Sequence, residues 1–413
     1  MPFESCLRGL VLAMFLFPAT AWSGQQPAPP SAPVAGWQDG FFIQSPDGNN
    51  RLLFGIVAQA DGRFSIDSER PITNTFALRK LRPTLSGRVA RYFDFKIMPD
   101  FGNGATVVAD AYFDIRFSPK LRVRSGKDKS PVGYELLLGD AFLLFPERSV
   151  ANNLIPNRDV GFQIQGDVNP KFYYAGGVFN GVPDGASSLL DADLNHGKDL
   201  EGRIVLQPFR SAAQAPSRWT GLGFQIGGST GKQVGALPIF RTSVGQPYFT
   251  YAASAMADGT RSRITPSMFY YYKGFGGFVE WMQSTQDAAQ AGVTREFTNR
   301  GWNVTGSYLV TGETTTGGIV RPRQPFDPEE GHWGALQIVA RYSVVNFDED
   351  IFSSGFANAN ASDSAHQFTI GVNWHPASVF KYYLNYERTE FGETATSARA
   401  TENVIFFRAQ LGI

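Results

Sequence analysis

Basic side chains stand at alternate positions in several segments of this chain, a spacing that suits contact with anions. Lys80 and Arg82 are two residues apart, and Arg122 and Arg124 repeat the spacing. An arginine donates two parallel hydrogen bonds to a phosphate or carboxylate group, whereas a lysine supplies a compact positive charge. Side chains two residues apart share one face of a β-strand. The sequence therefore indicates strands with basic faces that are suited to anion binding.

The residues for nucleophilic or metal chemistry lack the spacing that such chemistry needs. The four histidines, His196, His332, His366 and His375, fall in predicted loops or turns and show no metal-ligand spacing. The segment GGSTGK at 227–232 is similar to a phosphate-binding loop, but Ile226 stands where the motif requires its first glycine. We therefore predict a protein that is not an enzyme and that carries no cofactor and no metal.

The segment 107–117 defines the kind of element that must position the basic residues. Its odd positions are apolar, from Val107 and Ala109 to Phe113 and Phe117, and most of its even positions are polar or charged. This alternation predicts a strand with an apolar face and a charged face. The segment has about the length of a strand that crosses a membrane at a tilt.

The same alternation recurs along the chain in about sixteen candidate strands, an even number that suits a closed barrel. Short turns are predicted at 118–120, 168–171, 273–276 and 375–378. Long polar loops, which we assign to the outer side, are predicted at 130–157, 183–198, 286–295, 314–331 and 348–364. The predicted fold is an all-β transmembrane antiparallel β-barrel of about 16 strands. A soluble β-sandwich would explain an apolar face, but not the charged opposite face together with the loop asymmetry.

The chain divides into three predicted parts: a signal peptide (1–23), a Pro-rich linker (24–39) and the barrel (40–413). Arg8 and the apolar run 10–17 have the pattern of a secretory signal peptide. The sole cysteine, Cys6, precedes that run, so the mature chain has no thiol. The formal net charge is +0 and 43% of the residues are hydrophobic, which argues against a nucleic-acid partner and against disorder.

If the apolar face of each strand meets lipid, the charged face lines a lumen. The predicted inward cations are Lys80, Arg82, Arg88, Lys96, Arg116, Arg122, Arg124, Arg203, Arg263, Arg341, Lys381 and Arg408. The predicted inward acids are fewer: Asp94, Asp100, Asp110, Asp114, Glu201, Glu280 and Glu387. Rings of Arg and Lys make anion pathways. The alternative is that these charges pair across the interior and hold the barrel rigid.

Several motifs resemble those of the phosphate-selective porin O and P family, in order along almost the whole barrel. The most distinctive is FPERSVANNLIPNRDVG at 145–161. The others are FALRKLRP at 76–83, DFG at 100–102, ADAY at 109–112, GKDKSPVGYE at 126–135, SYLVTGE at 307–313, ARYS at 340–343, GVNW at 371–374 and RAQL at 408–411. This resemblance implies a sixteen-stranded, homotrimeric porin in the outer membrane of a Gram-negative bacterium, reached through the periplasm and surrounded by outer-membrane lipid.

The resemblance also implies that the third long loop, at 130–157, folds into the lumen and forms its constriction. Lys127, Lys129, Arg148 and Arg158 would then join the anion pathway. The expected function is passive diffusion of small anions such as phosphate or polyphosphate. The alternatives are a general or differently selective porin and, from other classes, a barrel enzyme or an adhesin.

Overall fold

The computed structural model describes residues 33–38, 40–67, 72–188, 195–210, 217–394 and 398–413. The predicted signal peptide and residues 24–32 and 39 of the predicted linker lie outside the described residues. Val34–Trp37, which the sequence assigned to that linker, forms the first strand and pairs with Phe41–Gln44.

Nearly all regular structure in the described residues is β-strand. The strands are β1 Val34–Trp37, β2 Phe41–Gln44, β3 Arg51–Ser65, β4 Thr75–Val89, β5 Phe93–Asp100, β6 Val107–Ser118, β7 Leu121–Lys129, β8 Arg158–Asn169, β9 Phe172–Phe179, β10 Asp199–Leu206, β11 Gly223–Gly235, β12 Ile239–Arg241, β13 Pro247–Thr250, β14 Met256–Tyr272, β15 Phe275–Gln290, β16 Val293–Leu309, β17 Ala335–Asn346, β18 Ser364–Ala377, β19 Phe380–Phe391 and β20 Glu402–Gly412. Short α-helices lie at Tyr134–Leu137 and Glu349–Ser353, and 3₁₀ turns lie at Gly102–Gly104, Asp140–Phe142 and Val150–Leu154. No helix among them has the length and hydropathy needed to cross a membrane.

Sixteen strands close into an antiparallel barrel. From β3 to β11 and from β14 to β20 each strand pairs with the next in chain order, and β11 pairs with β14. The last strand returns to the first, with Val404 opposite Ser65 and Gly412 opposite Val57. The short strand β2 pairs with the first four residues of β3 beyond the end of β20, and β12 and β13 form a separate hairpin. The predicted fold is therefore confirmed.

The β6 strand has the predicted two faces over most of its length. Phe113 and Phe117 are 63% and 60% exposed on the outer face, whereas Asp114 is buried on the inner one. At Ala109 the prediction was wrong, because this residue is an extra one between the pairs that Asp110 and Val108 make with β5. Such a bulge reverses the alternation, so Val108 is exposed and Ala109 is buried.

The connections lie alternately at the two ends of the barrel. One end, the turn end, carries residues 90–92, 119–120, 170–171, 273–274, 310–334 and 378–379 and the described part of the connection 207–222. The opposite end, the loop end, carries residues 101–106, 130–157, 236–255, 291–292 and 347–363 and the described parts of the connections 66–74, 180–198 and 392–401.

Two of the predicted outer loops were wrong. Residues 286–295 are mostly strand, because β15 and β16 continue until only residues 291–292 join them. Residues 314–331 belong to the connection 310–334, which lies at the turn end, where residues 273 and 376 accept its backbone hydrogen bonds. A polar segment indicates a connection between strands but not the end of the barrel at which that connection lies. Because successive strands run in opposite directions, the number of strands before a connection determines its end.

Two further predictions are corrected by strand positions. His366 and His375, predicted in loops or turns, both lie within β18. Residues 227–232 lie in the interior of β11, so their resemblance to a phosphate-binding loop has no structural counterpart.

Candidate functional site

The inserted loop, residues 130–157, lies inside the barrel against the wall formed by β14–β18. Leu136 and Leu154 are fully buried in one apolar cluster with Met282 of β15 and Val345 of β17. The backbone nitrogen of Glu135 donates to a carboxylate oxygen of Glu280 at 3.0 Å. The predicted inward folding of the third loop is confirmed, and apolar packing fixes the face that meets the wall.

Several of the predicted lumen cations hold the backbone of this loop. Charged donors satisfy carbonyl groups that a loop removed from water would otherwise leave unpaired. The donors and acceptors are Lys381 Nζ to Leu143 O (2.6 Å), Arg341 Nη1 to Glu147 O (2.8 Å), Lys129 Nζ to Leu136 O and Leu138 O (2.7 Å each), Arg148 Nη2 to Leu138 O (2.9 Å) and Arg408 Nη1 to Pro146 O. These side chains position the loop.

Glu147 of the inserted loop is the first of two carboxylates in the basic region. Its carboxylate lies 2.6 Å from Arg79 Nε, 3.0 Å from Arg408 Nη2 and 3.4 Å from Arg63 Nη2. Burial by itself would raise the pKa of Glu147, but Arg79 and Arg408 hold it well below its ordinary value. Glu147 therefore stays ionised and compensates part of the positive charge around it.

Asp140 is the second carboxylate and lies at the start of a short 3₁₀ turn in the same loop. It accepts from Lys80 Nζ at 3.0 Å, from Arg148 Nη1 at 3.1 Å and from Arg82. Burial opposes its ionisation, but Lys80 and Arg148, followed by Lys129 and Arg82, hold its pKa well below the usual range. The loop is thus joined to β4 by an ionised carboxylate.

A cavity of about 460 Å³, here called the vestibule, lies between this loop and the wall, on the loop-end side. Residues 241–245 of the β12–β13 hairpin contribute to its rim. Its charged lining consists of Arg63, Arg79, Lys80, Arg82, Arg148, Arg158, Arg241, Asp140 and Glu147. Seven cations thus face two carboxylates. Asn and Ser side chains complete the lining with neutral hydrogen-bonding groups.

The other predicted pathway residues have partners along the wall. These are Arg88 with Asp94 (2.7 Å), Arg116 with Asp94 (3.5 Å), Arg122 with Asp167 (3.9 Å), Arg124 with Asp114 (2.7 Å), Arg158 with Asp110 (2.7 Å), Arg263 with Asp184 (2.6 Å), Lys127 with Ser188 O (2.6 Å) and Arg203 over the ring of Tyr173 (4.9 Å). The structure brings Lys80, Arg82, Arg148 and Arg158 together at the vestibule and distributes the rest over β4–β7, β10, β14, β17, β19 and β20. Contact with anions stays a prediction for all of them.

Arg79 is a vestibule residue that the sequence analysis missed, as it missed Arg63 and Arg241. Strict alternation with Lys80 would point Arg79 to lipid, but the pairing of β3 with β4 passes from Lys80 directly to Leu78. Arg79 is therefore the extra residue of a bulge, and its side chain reaches Glu147 inside the barrel. The signal was present, since apolar positions 76 and 78 are followed by 81, a step of three instead of two.

The fold and the vestibule together define a class of protein. A closed barrel with an apolar outer face, a charged interior and a loop folded into its lumen is an outer-membrane porin. The chain belongs to the phosphate-selective porin O and P family, whose match covers residues 55–413. It is therefore a channel of the bacterial outer membrane, and its turn end corresponds to the periplasmic side.

Solved structures of outer-membrane proteins share this fold at low sequence identity. The outer membrane channel DcaP of Acinetobacter baumannii is 11% identical, with a TM-score of 0.58, and the match covers 88% of this chain and 98% of that one. An anion-selective porin from Comamonas acidovorans is 13% identical, with a TM-score of 0.55 and coverage of 88% and 100%. The trimer form of OmpT, an outer membrane protein of Vibrio cholerae, is 13% identical, with a TM-score of 0.53 and coverage of 88% and 99%. No curated protein matches the chain.

Proposed function

We propose that this porin conducts small anions, phosphate among them, by passive diffusion through the vestibule. The observation that carries the proposal is the excess of cations in the vestibule lining, where Asp140 and Glu147 are the only carboxylates among the residues that the structure describes. Since both carboxylates already pair with several cations, a dissolved cation finds no free acid there, whereas an anion meets excess positive charge. Several donors that each bind weakly permit entry without trapping the anion.

The guanidinium groups of the vestibule suit oxyanions in particular. Arg79 and Arg82 keep further N–H groups beyond those that contact Glu147, Asp100 and Asp140. An oxyanion such as phosphate offers several acceptor atoms to such donors, whereas chloride offers a single centre. The family description and this chemistry support phosphate as a permeant anion.

The test is reconstitution of the protein in a planar bilayer with a KCl gradient. We expect a reversal potential that reports chloride as more permeant than potassium, and added phosphate should reduce the chloride current. The Arg79→Ala variant should lower the preference for chloride. Arg300→Ala is the matched control, because Arg300 is exposed on the outer face of β16. A reversal potential favouring potassium would exclude the proposed function.

We also propose that the channel is a homotrimer, for which the trimer form of the Vibrio cholerae protein provides support. Mass measurement of the detergent-solubilised protein tests this. A mass of three chains is expected, and a single chain in mild detergent would exclude it.

A further inference from the structure

A second cavity, here called the inner chamber, lies directly beyond the vestibule on the periplasmic side. Its volume is about 340 Å³. Arg82, Asp140 and Arg158 line both cavities, so these three residues mark the boundary between them. Ser378 and Ile413 line the inner chamber as well, which places it at the turn end of the barrel. A solute that passes the vestibule along this wall meets the inner chamber next.

The lining of the inner chamber includes eight apolar side chains, in a barrel whose inward positions are mostly polar. Its polar and charged lining comprises Arg82, Thr84, Ser86, Lys96, Asp110, Lys129, Asp140, Arg158 and Ser378. Along β3 the inward residues Leu53 and Val57 line the chamber, and the next inward residues are Gln59, Asp61 and Arg63. The apolar lining comprises Leu53, Val57, Met98, Ala141, Phe142, Ile319, Val379 and Ile413. Water-filled porin lumens are ordinarily polar, so this concentration of apolar groups is informative.

The long periplasmic connection 310–334 supplies part of this lining. Its residue Thr315 donates a backbone hydrogen bond to Lys273 O at 2.8 Å, and Val320 is buried with Leu309 and Ala335. These contacts fix the connection against the barrel end and carry Ile319 towards Phe142 of the inserted loop, which lines the same cavity. The apolar surface is therefore part of the packed structure.

We propose that the preferred solutes of this channel are small organic carboxylates with an apolar body, such as aromatic or branched aliphatic acids. The inference rests on the proposed anion function and names the substrate class. At the boundary Arg82 and Arg158 attract the carboxylate group, while the body of the solute leaves water for the inner chamber. An apolar cavity of about 150 Å³ is enough to hold benzene, so the chamber accommodates one aromatic ring.

Inorganic anions are attracted by the cations of the same chamber but gain nothing from its apolar side chains. Phosphate and chloride have no apolar surface to bury, so only the apolar body of an organic anion gains free energy by leaving water there. The chamber should therefore bind organic anions more tightly than inorganic ones of similar charge. The comparison between benzoate and acetate isolates this effect, because both have one carboxylate and only benzoate has a ring.

The test uses the full-length protein in planar bilayers with chloride as the current carrier. We expect benzoate to block the chloride current at concentrations about tenfold lower than acetate or phosphate requires. The double variant Ile319→Thr and Val379→Thr, which makes both side chains polar, should remove most of that difference. Val310→Thr is the matched control, since Val310 is exposed in the same connection but does not line the chamber. Phe142→Ser provides a second variant on the opposite side.

The outcomes separate this inference from the function on which it rests. Equal block by benzoate and acetate in a channel that still prefers chloride to potassium would overturn the substrate class alone. Benzoate block that neither the double variant nor Phe142→Ser weakens would also overturn it, because the block would then arise elsewhere. A cation-selective channel would instead remove the proposed anion function.

Discussion

At the scale of single residues, Glu147 limits the positive charge of the vestibule. Removing its charge should release Arg79 to face the solution. Arg408 keeps its contacts with Asp61 at 2.6 and 2.7 Å, and Arg63 keeps its contact with Asp61 at 2.9 Å. The Glu147→Gln variant should therefore be more anion-selective, seen as a shift of the reversal potential in a KCl gradient. Glu390→Gln is the control, since Glu390 pairs with Arg388 on the exposed outer side. A shift towards potassium would contradict the role of Glu147 as a counter-charge.

The depressed pKa values of Asp140 and Glu147 predict an absence of titration where ordinary carboxylates titrate. An unperturbed Asp or Glu is half protonated near pH 4, so a normal pair would lose charge between pH 6 and pH 4. Because both folded-state pKa values are lowered, the stabilisation by these groups is present above the unfolded pKa and is lost only as the pH falls through the lower folded value. Reversal potentials measured at pH 6 and pH 4 should therefore agree. A greater preference for anions at pH 4 would show that Asp140 or Glu147 becomes protonated, which would contradict the prediction.

At the scale of elements, the inserted loop depends on buried charges of the wall. Arg341 lies 3.3 Å from both Glu135 of the loop and Glu387 of β19, and it also donates to Glu147 O. Arg341→Met leaves these carboxylates without their buried partner, a loss that typically costs about 3–5 kcal/mol. We expect a lower free energy of unfolding and a noisier single-channel current. Arg300→Met, on the outer face, should change neither quantity.

The elements also show how much the sequence could predict. Alternation predicted the strands and their number, because one face of each strand must meet lipid, and the resemblance to the porin family predicted the inserted loop. Alternation did not locate the bulge at Ala109, since local twist and pairing decide where an extra residue is accommodated. At Arg79 the step of three from Leu78 to Leu81 marked the bulge, but strict alternation was assumed there. For that reason the sequence analysis found Lys80 and Arg82 but missed Arg79. The apolar inner face at Leu53 and Val57 was missed because it differs from the rule that inward positions are polar.

At the scale of the whole molecule, the lumen is narrowed from both ends. The inserted loop enters from the outer side, and the connection 310–334 enters from the periplasmic side to line the same chamber. Deletion of residues 316–321 should widen the exit and raise single-channel conductance, while chloride preference is kept because the vestibule is unchanged. Deletion of six residues from connection 207–222, at the same end, is the control. Unchanged conductance would show that the exit does not limit the current.

The closure of the barrel has a consequence for the order of folding. Arg408 of β20 and Asp61 of β3 face each other across the seam, 347 positions apart in the chain, and both are buried. So distant a pair forms after the intervening strands have associated, because long-range pairing is slow. Arg408→Met should therefore accelerate unfolding and leave the folding rate nearly unchanged, as stopped-flow kinetics in lipid vesicles would measure. The ion pair should therefore slow the separation of β20 from β3, so that the contact between the first and last strands of the barrel sets its unfolding rate.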